Sequence, residues 1–318
     1  MYTITIIAFL IAIVILINKQ FRAKNPSFSL EKTKLLKALL PFFIILHHCS
    51  SIFGGMSDFK NGAFILAIFF FISGYGLQVK VESNVFNLKY IIRRIVKLLT
   101  PIIIPAVIFA LLLYYIDKEQ FIAFYTNFKS WNILLPFTWF ISKLIVLYFL
   151  FYVATYAAKL KIDSVIVLLT LVILVDLLLI KTSTGSHIYI SDLAFVIGVM
   201  FRKIECRIMP STILLSILCL AGALFLIPFL SKGIVYIIVI TLLSSAIPML
   251  LCNLNIKTSS VIKHLSSISY ELYLCQGIAF LVLQQYSVSL LSSYILTFGI
   301  TYILAVVSHK ITVFLFEK

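Results

Sequence analysis

Runs of about 15 to 20 apolar residues recur along the chain, broken by short clusters of Lys, Arg, Ser and Asn. That spacing fits repeated passage through roughly 30 Å of hydrocarbon, where every backbone polar group must find a partner inside the protein. For runs of this length the helix is the structure that provides it. Hydrophobic residues make up 62% of the chain and charged residues 12%, against about half and a quarter in soluble domains. The sequence therefore predicts an all-α fold, a polytopic transmembrane helix bundle.

The expected spans are residues 1–18, 35–52, 61–79, 98–116, 138–157, 162–180, 188–201, 211–230, 233–252, 265–286 and 290–308, about eleven in all. Residues 1–18 read as an extra N-terminal transmembrane helix, because no positive segment precedes the apolar run and no small-residue cleavage site follows it. Residues 30–310 read as one membrane domain. No loop exceeds about twenty residues, which leaves no room for a soluble catalytic domain. Any chemistry must lie among the helices.

A formal charge of +15 raises the question of nucleic acid, and the location of the charges answers it. If the N-terminus lies outside, the loops assigned to the cytoplasmic side collect all but six of the 26 Lys and Arg residues; Lys60, Lys118, Lys129, Lys143, Lys181 and Lys232 are left for the other side. One span missed or invented would scramble this separation, so the positive-inside rule supports both the count and the orientation, with the C-terminus cytoplasmic. The basic residues then serve a membrane, with no nucleic acid required. Cys49, Cys206, Cys219, Cys252 and Cys275 show neither a CxxC pair nor metal-ligand spacing, so no metal is expected. Only Cys49, beside a histidine, stays in view.

Ionisable side chains inside a span cost about 2.5–3.5 kcal/mol each at mid-helix, so the few that occur are informative. Lys37 and His48 are eleven residues apart, three turns plus about 20°, and share one helix face at an axial separation of roughly 16 Å. Snorkelling of Lys37 and headgroup contact by His48 would explain the same pattern. Lys89, Arg93, Arg94 and Lys97 precede the fourth span at helical spacing, a group suited to clamping phosphates and equally to lipid headgroups. Ser73, Gly74, Tyr75 and Gly76 end the third span, where small residues allow close helix approach. Ser266, Ser269, Tyr270, Tyr273 and Gln276 form a polar stripe in the tenth, with Glu271 beside them. Asp176, Asp192 and Lys143 fit structural ion pairing, Trp131 and Trp139 an aromatic belt, and no role is assigned to His187, His264 or His309.

These segments together resemble the acyltransferase 3 family of membrane acyltransferases. Lys37, ten residues and His48 stand where its first helix carries Arg, ten residues and His. Phe70-Phe71-Ile72-Ser73-Gly74-Tyr75 resembles its FFxxSGF, and Arg93-Arg94-Ile95-Val96-Lys97 with Pro101 resembles its RxxR before a proline. Trp139-Phe140 is similar to its central WF, and Ser269-Tyr270-Glu271-Leu272-Tyr273-Leu274 to its late SYxLYL. The motifs occur in family order. Lys37 replaces Arg, Lys97 replaces the second Arg of RxxR, and Gln276 stands where a His commonly follows, so the planar Arg fork is lost at two positions.

The resemblance implies a bacterial cell-membrane enzyme that moves an acetyl group from cytoplasmic acetyl-CoA to a hydroxyl of a cell-surface polysaccharide or lipid-linked glycan. It implies His48 and Lys37 as catalytic residues, Arg93, Arg94 and Lys97 as the acetyl-CoA site, and Ser73, Tyr75, Trp139, Tyr273 and Gln276 as substrate-binding residues. A neutral imidazole suits general-base work on a hydroxyl. A covalent acyl-Cys49 is a variant of this chemistry, and a polysaccharide or small-molecule transporter without acyl chemistry is the competing class.

Overall fold

In the computed structural model, residues 10, 27–55, 62–127, 131–157, 162–208, 212–229 and 233–316 are described. Among the described residues thirteen α-helices follow one another: α1 (Leu30–Ile52), α2 (Gly62–Glu82), α3 (Leu88–Leu99), α4 (Ile103–Ile116), α5 (Lys118–Thr126), α6 (Trp139–Ala157), α7 (Ser164–Lys181), α8 (Leu193–Ile208), α9 (Thr212–Leu226), α10 (Ile234–Leu251), α11 (Ser260–Ser267), α12 (Ser269–Leu283) and α13 (Leu290–Phe316). No strand occurs among the described residues. The fold class is as the sequence predicts.

Among the described residues seven helical segments are long and apolar enough to cross a membrane, and the pair α11–α12, bent by 62°, adds an eighth if it counts as one span. Leu88–Ile116 is one such segment, in which α3 and α4 meet at the single 3-10 turn Thr100–Ile102. Pro101 sits in the first positions of that turn, where its missing N–H costs nothing. The expected spans 188–201 and 211–230 correspond to α8 and α9, which are shorter than that measure. The proposed helix over residues 1–18 lies outside the described residues, apart from Leu10.

The described residues divide into two compact units. One draws on Met1–Leu36, Ala63–Asn87 and Leu147–Ser259, the other on Lys37–Gly62, Leu88–Val146 and Ser260–Lys318. In the first unit α9 packs along α10, and α8 meets α7 and α10. The α2–α8 crossing is close enough that backbone meets backbone: a Cβ at Gly74 would lie 2.2 Å from the Phe195 carbonyl oxygen, and one at Gly198 2.1 Å from that of Phe71. The Asp163 side chain caps α7 by accepting from the Val165 N–H at 2.6 Å, and that bond holds its carboxyl below the ordinary carboxylate range, aided by Lys203.

In the second unit α12 is buried on almost every side and packs along α13. A helix buried all round belongs in a core, and this one carries the sequence SYELYL at its N-terminal end. The hydroxyl of Tyr270 reaches the carbonyl of Leu98 at 2.7 Å and ties α12 to α3.

Candidate functional site

Helix α1 runs without interruption through Pro41, so Lys37 and His48 stay on one helix, Lys37 exposed and His48 half-buried. The His48 ring meets other rings: Phe137 at 4.0 Å between centroids, His47 at 4.9 Å and Phe280 at 6.3 Å. Among the described residues no hydrogen bond holds either of its nitrogens. Beside it, Cys49 turns into an apolar cluster with Ile45, Phe280 and Tyr294. That environment suits a structural thiol, since reactive cysteines sit near cations and partly exposed.

The partner ring comes from the segment between α5 and α6. Trp131, Leu134 and Phe137 adopt left-handed backbone with φ near 60–67°, a conformation costly for bulky residues. Thr138 braces the segment: its hydroxyl accepts from the Ile133 N–H at 2.8 Å and donates to the Leu135 carbonyl at 2.6 Å. Trp139 then opens α6, its N–H bonded to the Asn132 side chain at 3.2 Å.

Helix α12 supplies the other wall. Tyr273 donates its hydroxyl to the Phe137 carbonyl, and Phe140 packs edge-on against its ring at 4.6 Å. Gly277 admits Pro136, whose Cγ would lie 2.5 Å from a Cβ there. Gln276 lies on the same α12 face as Tyr273 and Phe280, at steps of three and four residues. It is 1% exposed, and neither atom of its amide has a hydrogen-bond partner among the described residues. A buried orphan amide is costly, so this one marks a place where a polar group is wanted.

The basic cluster on α3 divides in two. Arg93 and Lys97, both exposed, line a groove of about 500 Å³ with Val96, Thr100, Pro101, Thr312 and Phe316. At its wall the Thr312 hydroxyl is buried without a partner among the described residues. Arg94 instead donates to the Tyr90 hydroxyl at 3.4 Å. The second unit thus gathers Lys37, His48, Arg93, Arg94, Lys97, Trp139, Tyr273 and Gln276.

Ser73 and Tyr75 belong to the first unit. Ser73 is half-buried, and the Tyr75 hydroxyl donates to Glu205 Oε2 at 2.6 Å. Glu205 also accepts from the Phe28 N–H at 2.9 Å and from Arg202 at 2.8 Å, while Arg202 reaches Glu82 at 2.7 Å. Tyr75 is therefore engaged in a charge network that joins α2 to α8. The sequence hid Phe137, Phe280 and Glu205, and it also hid a pair inside the second unit, His309 Nδ1 to the buried Glu271 carboxylate at 2.7 Å. Among the described residues no group of three or more His, Cys, Asp or Glu could hold a metal ion.

A family model described as an acyltransferase domain matches residues 32–310. The chain belongs to the acyltransferase 3 family. It is an acyltransferase, and the matched region takes in every residue of the two groupings just described except Phe28 and Thr312 with Phe316. Comparison with curated proteins and with solved structures gives no match.

Proposed function

We propose that this acyltransferase moves an acetyl group from acetyl-CoA, bound from the cytoplasmic side of a bacterial membrane, to a hydroxyl of a cell-surface polysaccharide or lipid-linked glycan. The observation that carries the reading is that one unit holds an imidazole and a buried primary amide, His48 and Gln276, neither hydrogen-bonded among the described residues, together with the Arg93–Lys97 groove.

In this reading Arg93 and Lys97 take the phosphates of the donor through charge-assisted hydrogen bonds, and Arg94 and Lys37 add to the positive field. His48 accepts the proton of the acceptor hydroxyl as its oxygen bonds to the thioester carbon. The NH₂ of Gln276 donates to the carbonyl oxygen as charge develops on it. The C–S bond then breaks, and the proton held by His48 passes to the departing thiolate. Tyr273, committed to the Phe137 carbonyl, shapes the wall of this site. Trp139, in the same unit, is assigned to the glycan side of this site.

Reconstituted protein given acetyl-CoA and cell-surface glycan is expected to release free CoA thiol and to add the mass of one acetyl group per acceptor. Release with butyryl- or palmitoyl-CoA in place of acetyl-CoA would overturn the choice of acyl group. Thiol release without a mass gain on the glycan would overturn the acceptor.

The groove carries its own prediction. Replacing Arg93 or Lys97 by Ala removes one charge-assisted contact, worth about 1.5–3 kcal/mol, so the KM for acetyl-CoA rises roughly ten- to a hundredfold, more than kcat falls. Added salt should weaken donor binding less in these variants than in the parent. Steady-state kinetics at two ionic strengths measure both, and an unchanged KM would remove the groove from the donor site.

A further inference from the structure

We infer that Phe137 is a positioning residue, whose ring fixes the plane of the His48 imidazole in the place of an orienting hydrogen bond. The inference rests on His48 being the base.

A general base must present one nitrogen to the proton it takes, and an imidazole that can spin about its Cβ–Cγ bond does so only part of the time. In most sites a carboxylate or carbonyl hydrogen-bonded to the second nitrogen prevents this. His48 has no such bond among the described residues, and three rings surround it instead. Phe137 is the nearest, its ring centroid 4.0 Å away and its plane tilted by 34° from that of the imidazole, the smallest angle of the three. His47 at 4.9 Å and Phe280 at 6.3 Å meet it at larger angles.

The simpler account makes Phe137 filler for the apolar cluster around Ile45, Cys49, Phe280 and Tyr294, which it does touch. Filler needs no special backbone, however, and Phe137 has φ +67°. A phenylalanine held there is strained, and such strain persists only where the surroundings over-determine the conformation. They do so here. Tyr273 holds the Phe137 carbonyl, Pro136 is seated on Gly277, and Thr138 locks the turn that leads into it. Four neighbouring residues thus aim one ring at one imidazole.

Turnover of the full chain in proteoliposomes tests the inference with Phe137→Leu, Phe137→Tyr, His48→Gln and the double variant His48→Gln/Phe137→Leu. Leucine keeps the apolar volume and loses the flat face, so kcat should fall about 30-fold, with the donor KM within about threefold. Tyrosine keeps the face and should stay within about threefold of the parent. In the His48→Gln background, Phe137→Leu should cost less than about twofold, because a residue acting through the imidazole has nothing left to act on. An equal loss in both backgrounds would make Phe137 structural and overturn the inference. Parent-like turnover by Phe137→Leu would overturn it too, leaving His48 untouched. Parent-like turnover by His48→Gln would instead remove the base itself and the inference with it. Should Phe137→Leu fail to fold, Phe137→Gly, which accepts the left-handed backbone, takes its place in the same cycle with the same expectations.

Discussion

His48→Gln is expected to lower acyl transfer by about two to four orders of magnitude while the protein accumulates and melts as the parent does. General-base catalysis by a positioned imidazole contributes about that much, and glutamine keeps the size and polarity of the ring but cannot take a proton at neutral pH. Folding should survive for a reason visible in the structure. No described residue depends on a His48 hydrogen bond, so the change strands no buried donor or acceptor. The loss should appear in kcat and kcat/KM alike, with donor KM little altered, since the donor phosphates are assigned to Arg93 and Lys97 on α3. Thiol release in proteoliposomes, with detergent melting as the folding control, measures it. A His48→Gln variant working at more than a tenth of the parental rate would end the assignment of His48 as base.

How far the sequence anticipates this site depends on which physical rule places each residue. Lys37 and His48 share a helix face because eleven residues make just over three whole turns, and that follows from spacing alone. The stripe on α12 is legible for the same reason, since Ser269, Tyr273 and Gln276 follow one another at steps of four and three residues on one helix. Spacing on α3 groups Arg93, Arg94 and Lys97 without dividing them, because the division depends on where α13 delivers Thr312 and Phe316. Phe137 leaves no trace in periodicity. Left-handed backbone is ordinarily announced by Gly or Asn, and the segment Trp131–Thr138 achieves it with Trp, Leu and Phe under restraint from other parts of the unit.

Helix α8 shows the opposite failure. Its expected end at residue 201 reflects the charges in Arg202, Lys203 and Glu205, yet the helix runs to Ile208. Those charges find partners: Arg202 bonds Glu82 and Glu205, and Lys203 bonds the Ser164 hydroxyl at 2.7 Å. Partners distant in sequence are invisible to a window of neighbouring residues.

Gly198→Ala carries the largest expected effect on stability, about 3 kcal/mol. A Cβ there would lie 2.1 Å from the Phe71 carbonyl oxygen, 2.9 Å from its carbon and 3.0 Å from its Cα. All three atoms belong to the backbone of α2, so no side chain can turn aside and the helices must part. Parting them loosens Phe71, Phe195 and Val199, which are buried at the crossing, and overpacking a close-packed contact costs up to about 3 kcal/mol, occasionally more. Small residues let membrane helices approach closely because dispersion contacts replace the hydrophobic drive available in water. The Ser73-Gly74 pair signals that approach in the sequence, whereas Gly198 sits in an apolar run with nothing to mark it. The geometry is reciprocal, since Gly74 meets Phe195 as Gly198 meets Phe71, three residues apart on each helix. Gly74→Ala should therefore cost a similar amount, and the double variant clearly less than the sum, because helices already parted for one methyl have room for the second. Thermal unfolding in detergent of the two single variants and the double one reads this directly. Fully additive losses, or a Gly198→Ala protein that melts with the parent, would mean that the α2–α8 crossing is looser than these distances require.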